Sequence, residues 1–116
     1  MTGMDEAKKI AQILDSKKAE ELRVLKVDEM TALTDYFVIA TGMSNTHVKS
    51  LADEVQYQMD KLGVESRLEG KATDWILLDF GNILVHIFTG KAREHYDLDK
   101  LWGDAEAVSL DDLLLN

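Results

Sequence analysis

The chain has 116 residues, no cysteine and a formal net charge of −9, which predicts one ordinary domain and excludes disulfides and thiolate chemistry. That charge argues against a protein whose main task is to neutralise phosphates with a basic stripe. It concentrates at one end, where Asp97, Asp99, Asp104, Glu106, Asp111 and Asp112 stand against Lys100 alone, and such a surface suits a basic protein partner, including one seated on RNA.

No apolar run is long enough to span a bilayer and no secretory segment is visible, so the expectation is a cytoplasmic protein without a membrane partner. His47, His86 and His95 lack the close helical spacing of a zinc motif, so neither a metal nor another cofactor is expected. Residues 5–17 read as an amphipathic helix, with Ala7, Ile10, Ala11 and Leu14 at helical spacing. Its narrow stripe can pack on this domain or on a second copy, as a homodimer would require. Residues 21–28 read as a first strand and 28–34 as a turn or short irregular helix. Residues 35–41, almost continuously apolar and β-branched or aromatic, read as a central strand.

Gly42 ends that strand, and Ser44, Asn45 and Thr46 offer N-caps for the clearest helix of the chain. Val48, Leu51, Ala52, Val55, Met59 and Leu62 share one of its faces, and Gly63 is a natural terminator. Residues 64–69 form a weaker third strand, and 70–73 a connection. A hairpin then pairs 75–79 with 83–88 around Gly81-Asn82, which completes five strands. A short helix over 91–96 and a final turn over 98–102 pack Leu98, Leu101 and Trp102 back on the domain. The expected domain is 1–103, followed by an acidic tail, 104–116, in which Leu110, Leu113 and Leu114 can form one amphipathic turn.

A two-residue turn puts Phe80 opposite Ile83, Leu78 opposite Val85 and Ile76 opposite Ile87, a wholly apolar face. The other face carries Trp75, Leu77 and Asp79 against Phe88, His86 and Leu84. Such a mixed face is covered either by a helix of the same chain or by a partner. Glu69 and Asp74 lie beside it, and Tyr96 packs with its hydroxyl at a rim, while Arg93 can hold Asp97 or a neighbouring carboxylate. The candidate partner-binding set is therefore Glu69, Asp74, Trp75, Leu77, Asp79, His86 and Tyr96.

Signals of catalysis are weak. The Gly42-Met43-Ser44 corner lacks the lysine and further glycines of a phosphate-binding loop, and a capped strand-to-helix turn explains it. Asp79-Phe80-Gly81 spells a kinase triplet without any other kinase motif. Asp79 and His86 are diagonal on their face, and spacing implies no third ligand or nucleophile. No catalytic residue is assigned.

Three motifs carry a resemblance: DYFVIATG followed by a serine and a helix, a Glu-Gly before WILLDFGNILVHIF, and R-x-x-Y-x-L-x-x-L-W. Together, in this order and spacing over residues 10–105, they resemble the ribosomal silencing factor family, also called Iojap or RsfS. Phe80, where many members have tyrosine, and Asp99, in place of a usual glutamate, are small departures. The resemblance implies an α+β fold, a mixed five-stranded sheet flanked by helices in a nucleotidyltransferase-like arrangement. It also implies a non-enzymatic factor that binds large-subunit ribosomal protein fourteen, keeps the subunits from joining and represses translation, with organelle relatives that assist large-subunit assembly. Trp75 matches the tryptophan that members use near the ribosomal protein, and no direct sequence-specific nucleic-acid binding is implied. The alternative is a nucleotidyltransferase-like enzyme. It would need an Asp-x-Asp or Asp-x-Glu pair on a strand soon after the Gly-Ser corner. No such pair stands on an assigned strand, and Asp97-Leu98-Asp99, which has the spacing, falls after the hairpin in a helical turn.

Overall fold

A computed structural model describes residues 2–70 and 74–114. Its elements are α1 (Gly3–Ser16), β1 (Glu20–Lys26), β2 (Tyr36–Gly42), α2 (Asn45–Lys61), β3 (Arg67–Glu69), β4 (Trp75–Asp79), β5 (Ile83–Thr89), α3 (Gly90–Tyr96), α4 (Leu98–Leu101), β6 (Glu106–Ala107) and α5 (Leu110–Leu114). The six strands form one mixed sheet in the order β3-β4-β5-β2-β1-β6. Only β2 and β5 run parallel, so the apolar strand expected at the centre lies against the second strand of the hairpin.

The hairpin register is the one the Gly-Asn turn dictates. Phe80 N–H donates to Ile83 O at 2.9 Å, and Leu78 opposes Val85 and Ile76 opposes Ile87. Gly81 has φ +87°, at the first of two central turn positions, where a side chain would be strained. Extending the register across the sheet gives the row Leu68, Leu78, Val85, Val38, Val24 on one face. Helices α1 and α2 cover this face from β4 inward, and Leu78, Val85, Val38 and Val24 join one buried cluster with Ile10, Leu14, Leu51, Val55 and Met59, while Leu68 at the edge is exposed.

Both helices begin where a side chain takes up free N–H groups. Thr2 and Asp5 form a reciprocal capping box, which starts α1 two residues earlier than expected, and Ser44 Oγ accepts His47 N–H at the start of α2. Gly42 is held bare by close packing, because an added Cβ would lie 2.8 Å from Val48 Cγ2. The α1 stripe is fully buried within the chain against α2, α5 and the sheet, so it is not left for a second copy.

Several expectations are corrected. Leu62 is half exposed because α2 ends at Lys61 and Leu62 is the C-cap, beyond the helix body. The third strand shrinks to three exposed residues, since β3 has a single neighbour and Val64 turns back to bond Met59 O. Leu101 points outward, because one helical turn places Leu98 and Trp102 on its inner side. Finally, packing does not stop at residue 103: β6 pairs with β1, Val108 N–H donates to Val24 O at 2.8 Å, and Leu113 is buried against α1. The sheet therefore has a sixth, two-residue strand. Part of the connection over 70–73 lies outside the described residues.

Candidate partner-binding face

The second face of the sheet is built by the opposite set of side chains. Its first row reads Arg67, Asp79, Leu84, Phe37, Leu25, Ala107, and its second Glu69, Leu77, His86, Ile39, Arg23. Each row is charged at the β3 edge and apolar in the centre. Helix α3 leans on β5 and β2, and Ala92, Leu98 and Trp102 close the central part with Leu25, Phe37, Ile39 and Phe88. Toward β3 and β4 the cover thins, leaving Trp75, Leu77, Asp79 and Leu84 half-buried and Arg67 and Glu69 exposed.

At the border of the cover sits Trp75. Its ring stacks on Phe88 at 4.9 Å between centroids and meets Tyr96 of α3 at 4.6 Å. Its indole N–H donates to His86 Nδ1 at 3.3 Å. His86 itself is 6% exposed, with Phe37 edge-on at 4.9 Å, and burial pushes its imidazole down to about 4. It lies beneath the face, so it reaches a partner only through Trp75.

Most of the candidate set converges here. Glu69, Trp75, Leu77, Asp79, His86 and Tyr96 share the face or its rim, and Asp74 immediately precedes β4, its carbonyl accepting Thr89 N–H at 3.0 Å. Two details lie beyond the sequence reading. Asp79 accepts Gly81 N–H at 2.8 Å, so one carboxylate oxygen closes the hairpin turn. Arg67 stands directly opposite Asp79 and 3.9 Å from Glu69, which places a cation among the acids.

The cover is locked by a buried arginine. Arg93, 7% exposed, donates from Nε and Nη2 to both oxygens of Asp99 at 3.1 and 3.0 Å, and from Nη1 to Thr41 Oγ1 at 3.0 Å and to Glu21 O. Arg23 adds a second cation at 2.8 Å, and the bonds from Arg93 above all hold the Asp99 carboxyl below its usual range. The partner is thus Asp99 rather than Asp97, whose carboxylate instead caps α4 by accepting Lys100 N–H. Asp97 adopts φ +50°, turning the chain so that residue 99 swings back under Arg93. Through this lock α3 is fixed to β1 and β2, and Tyr96 is held over Trp75.

Both carboxylates of the only Asp-x-Asp pair are therefore engaged in structure. Among the described residues no three His, Cys, Asp or Glu side chains are grouped to hold a metal, and no helix is long and apolar enough to cross a membrane.

Comparison with known proteins gives a consistent result. Residues 2–116 match the family model described as "Ribosomal silencing factor during starvation". Ribosomal silencing factor RsfS of Bacillus subtilis is 37% identical over 103 residues, covering 87% of each chain. The mouse protein named mitochondrial assembly of ribosomal large subunit protein 1 is 33% identical over 98 residues, covering 80% of this chain and 43% of its own. A crystal structure of a Chromobacterium violaceum protein superposes with a TM-score of 0.82 at 34% identity, covering 89% of this chain and 88% of that one.

Proposed function

This chain belongs to the ribosomal silencing factor family, and from that premise we propose that it binds the large ribosomal subunit and blocks its joining to the small subunit. The contact runs through large-subunit ribosomal protein fourteen, and its consequence is repression of translation in the cytoplasm. One observation carries the reading: the second sheet face is left open at β3 and β4 around a tryptophan whose ring is already fixed. An immobilised aromatic with apolar neighbours is the kind of group that dominates protein interfaces. The chain's negative charge favours a basic protein over bare RNA.

The protein acts as a binding factor without cofactor or catalysis. A polar recess of about 860 Å³ beside Arg93 is lined by Glu20, Glu21, Glu94, Asp97 and Asp99 against Arg23 and Arg93, a balance that repels nucleotide phosphates. A part in large-subunit maturation is compatible with the same contact.

Sucrose gradients of purified subunits test the proposal. Added before the small subunit, the protein should sediment with large subunits and lower the yield of joined ribosomes. Sedimentation with small subunits only, or unchanged joining at saturation, would remove it.

A further inference from the structure

We infer that His86 is a positioning residue for the partner face: by accepting the Trp75 indole N–H it fixes the ring so that a partner meets ring carbon rather than a hydrogen-bond donor. This rests on reading that face as the ribosomal contact.

The hydrogen bond from Trp75 Nε1 to His86 Nδ1, 3.3 Å long, requires a bare Nδ1. The proton of the neutral imidazole is therefore on Nε2, and that N–H is buried without a partner. A buried donor without an acceptor is destabilising, and a phenylalanine at this place, among Phe37 and Phe88, would not carry it. Packing alone thus argues against histidine here. What histidine supplies, and phenylalanine lacks, is an acceptor for the indole.

The neighbouring rings do not supply that control. Stacking on Phe88 and contact with Tyr96 restrict the tilt of the indole, but the torsion that turns the ring over is broad and roughly two-fold. The hydrogen bond selects which edge faces inward. With the N–H edge engaged inside, the partner pocket is expected to be apolar, lined by aliphatic side chains or the stems of lysine and arginine, with no carbonyl aimed at the ring. Fixing the ring beforehand also lowers the ordering cost on binding.

The test uses the full chain with labelled indole nitrogens, the Trp102 signal being assigned by Trp102→Phe. In the wild type the Trp75 indole proton should exchange slowly with water. In His86→Phe it should exchange at least about tenfold faster, thermal melting should be no lower, and affinity for isolated large subunits should fall about tenfold. His86→Asn, which offers a carbonyl oxygen near the place of Nδ1, should restore slow exchange and binding toward wild type. If the phenylalanine variant does not fold, His86→Leu is measured in its place. Fast exchange of the Trp75 indole in the wild type overturns the inference whatever the variants do. Lower melting with unchanged indole exchange and affinity also overturns it, leaving His86 as packing. Unchanged subunit binding in Trp75→Ala would instead remove the ribosomal reading of the face, while exchange and melting still decide the role of His86.

Discussion

The two faces of this sheet share the same strands, and the register assigns each residue to one or the other. Across the first face the row Leu68, Leu78, Val85, Val38, Val24 is apolar from edge to centre, and two long helices lie over it. Across the second, Arg67, Asp79, Leu84, Phe37, Leu25 change from charged to apolar, and a helix of seven residues with one further turn covers the apolar part. In the first row burial is thus complete from β4 inward, with Leu68 exposed at the β3 edge, whereas on the second face it is already partial at β4. The gradient sets the site: a side chain at β4 on the first face holds the fold, whereas its neighbour one residue away is available to a partner.

Adjacent leucines give the sharpest way to break that comparison. Leu78 is fully buried, and Leu78→Ala should cost about 3 kcal/mol of stability in denaturant unfolding while binding per folded molecule stays the same. Leu77, half-buried, should lose under about 1 kcal/mol of stability on change to alanine and should weaken large-subunit binding instead. Equal stability losses at the two positions would mean that the second face is as closed as the first.

Acid should act mainly through the second face. The folded chain lowers His86 from 6.5 to about 4, so between those values the unfolded chain takes up a proton that the folded one refuses. Stability is therefore intact above 6.5 and falls as pH drops toward 4, by up to about 3 kcal/mol from this group. Asp99, held below its ordinary 3.8, loses its contribution only at lower pH. Urea unfolding at pH 7, 5.5 and 4.5 should show the loss in the wild type and a smaller one in His86→Phe. Parallel curves for the two proteins would assign the acid sensitivity to other groups.

Trp75 separates binding from folding at the border. Trp75→Ala should weaken large-subunit binding by about 2 kcal/mol and keep cooperative unfolding, because Phe88 and Tyr96 remain to cover the centre. Loss of the cooperative transition would place the ring in the core instead.

Much of this contrast was legible in the sequence, for a physical reason. Gly81-Asn82 allows one tight turn, the turn fixes the register, and alternation then assigns Trp75, Leu77 and Asp79 to one face and Ile76 and Leu78 to the other. The cover was harder to read. Arg93 reaches Asp99 rather than Asp97 because the chain reverses through a left-handed residue, and a non-glycine residue in that conformation has no strong sequence signal. The burial of His86 was equally hidden, since nothing in the alternation tells a histidine under a tryptophan from one facing water. Arg67 escaped for a different reason. Strand β3 is too short and polar for periodicity to fix its register, so only the paired sheet reveals the cation opposite Asp79.

That cation changes the smallest expected effect, the salt dependence of association. Glu69, Asp74 and Asp79 border the open end of the face, and rim charges of this kind steer encounter more than they add affinity. Their reach is screened over about 8 Å at physiological ionic strength, so association with the isolated ribosomal protein should slow as salt rises. Arg67, between Glu69 and Asp79, offsets part of their field, and Asp79 also closes the hairpin turn. Changing the three acids to their amides should therefore flatten the salt slope, whereas Arg67→Gln should steepen it by exposing the acids it screens. Stopped-flow association across a salt series distinguishes the two variants by sign. If Arg67→Gln flattens the slope instead, the partner presents negative charge at this edge, and the steering acids must be those after Asp97, at the other end of the chain.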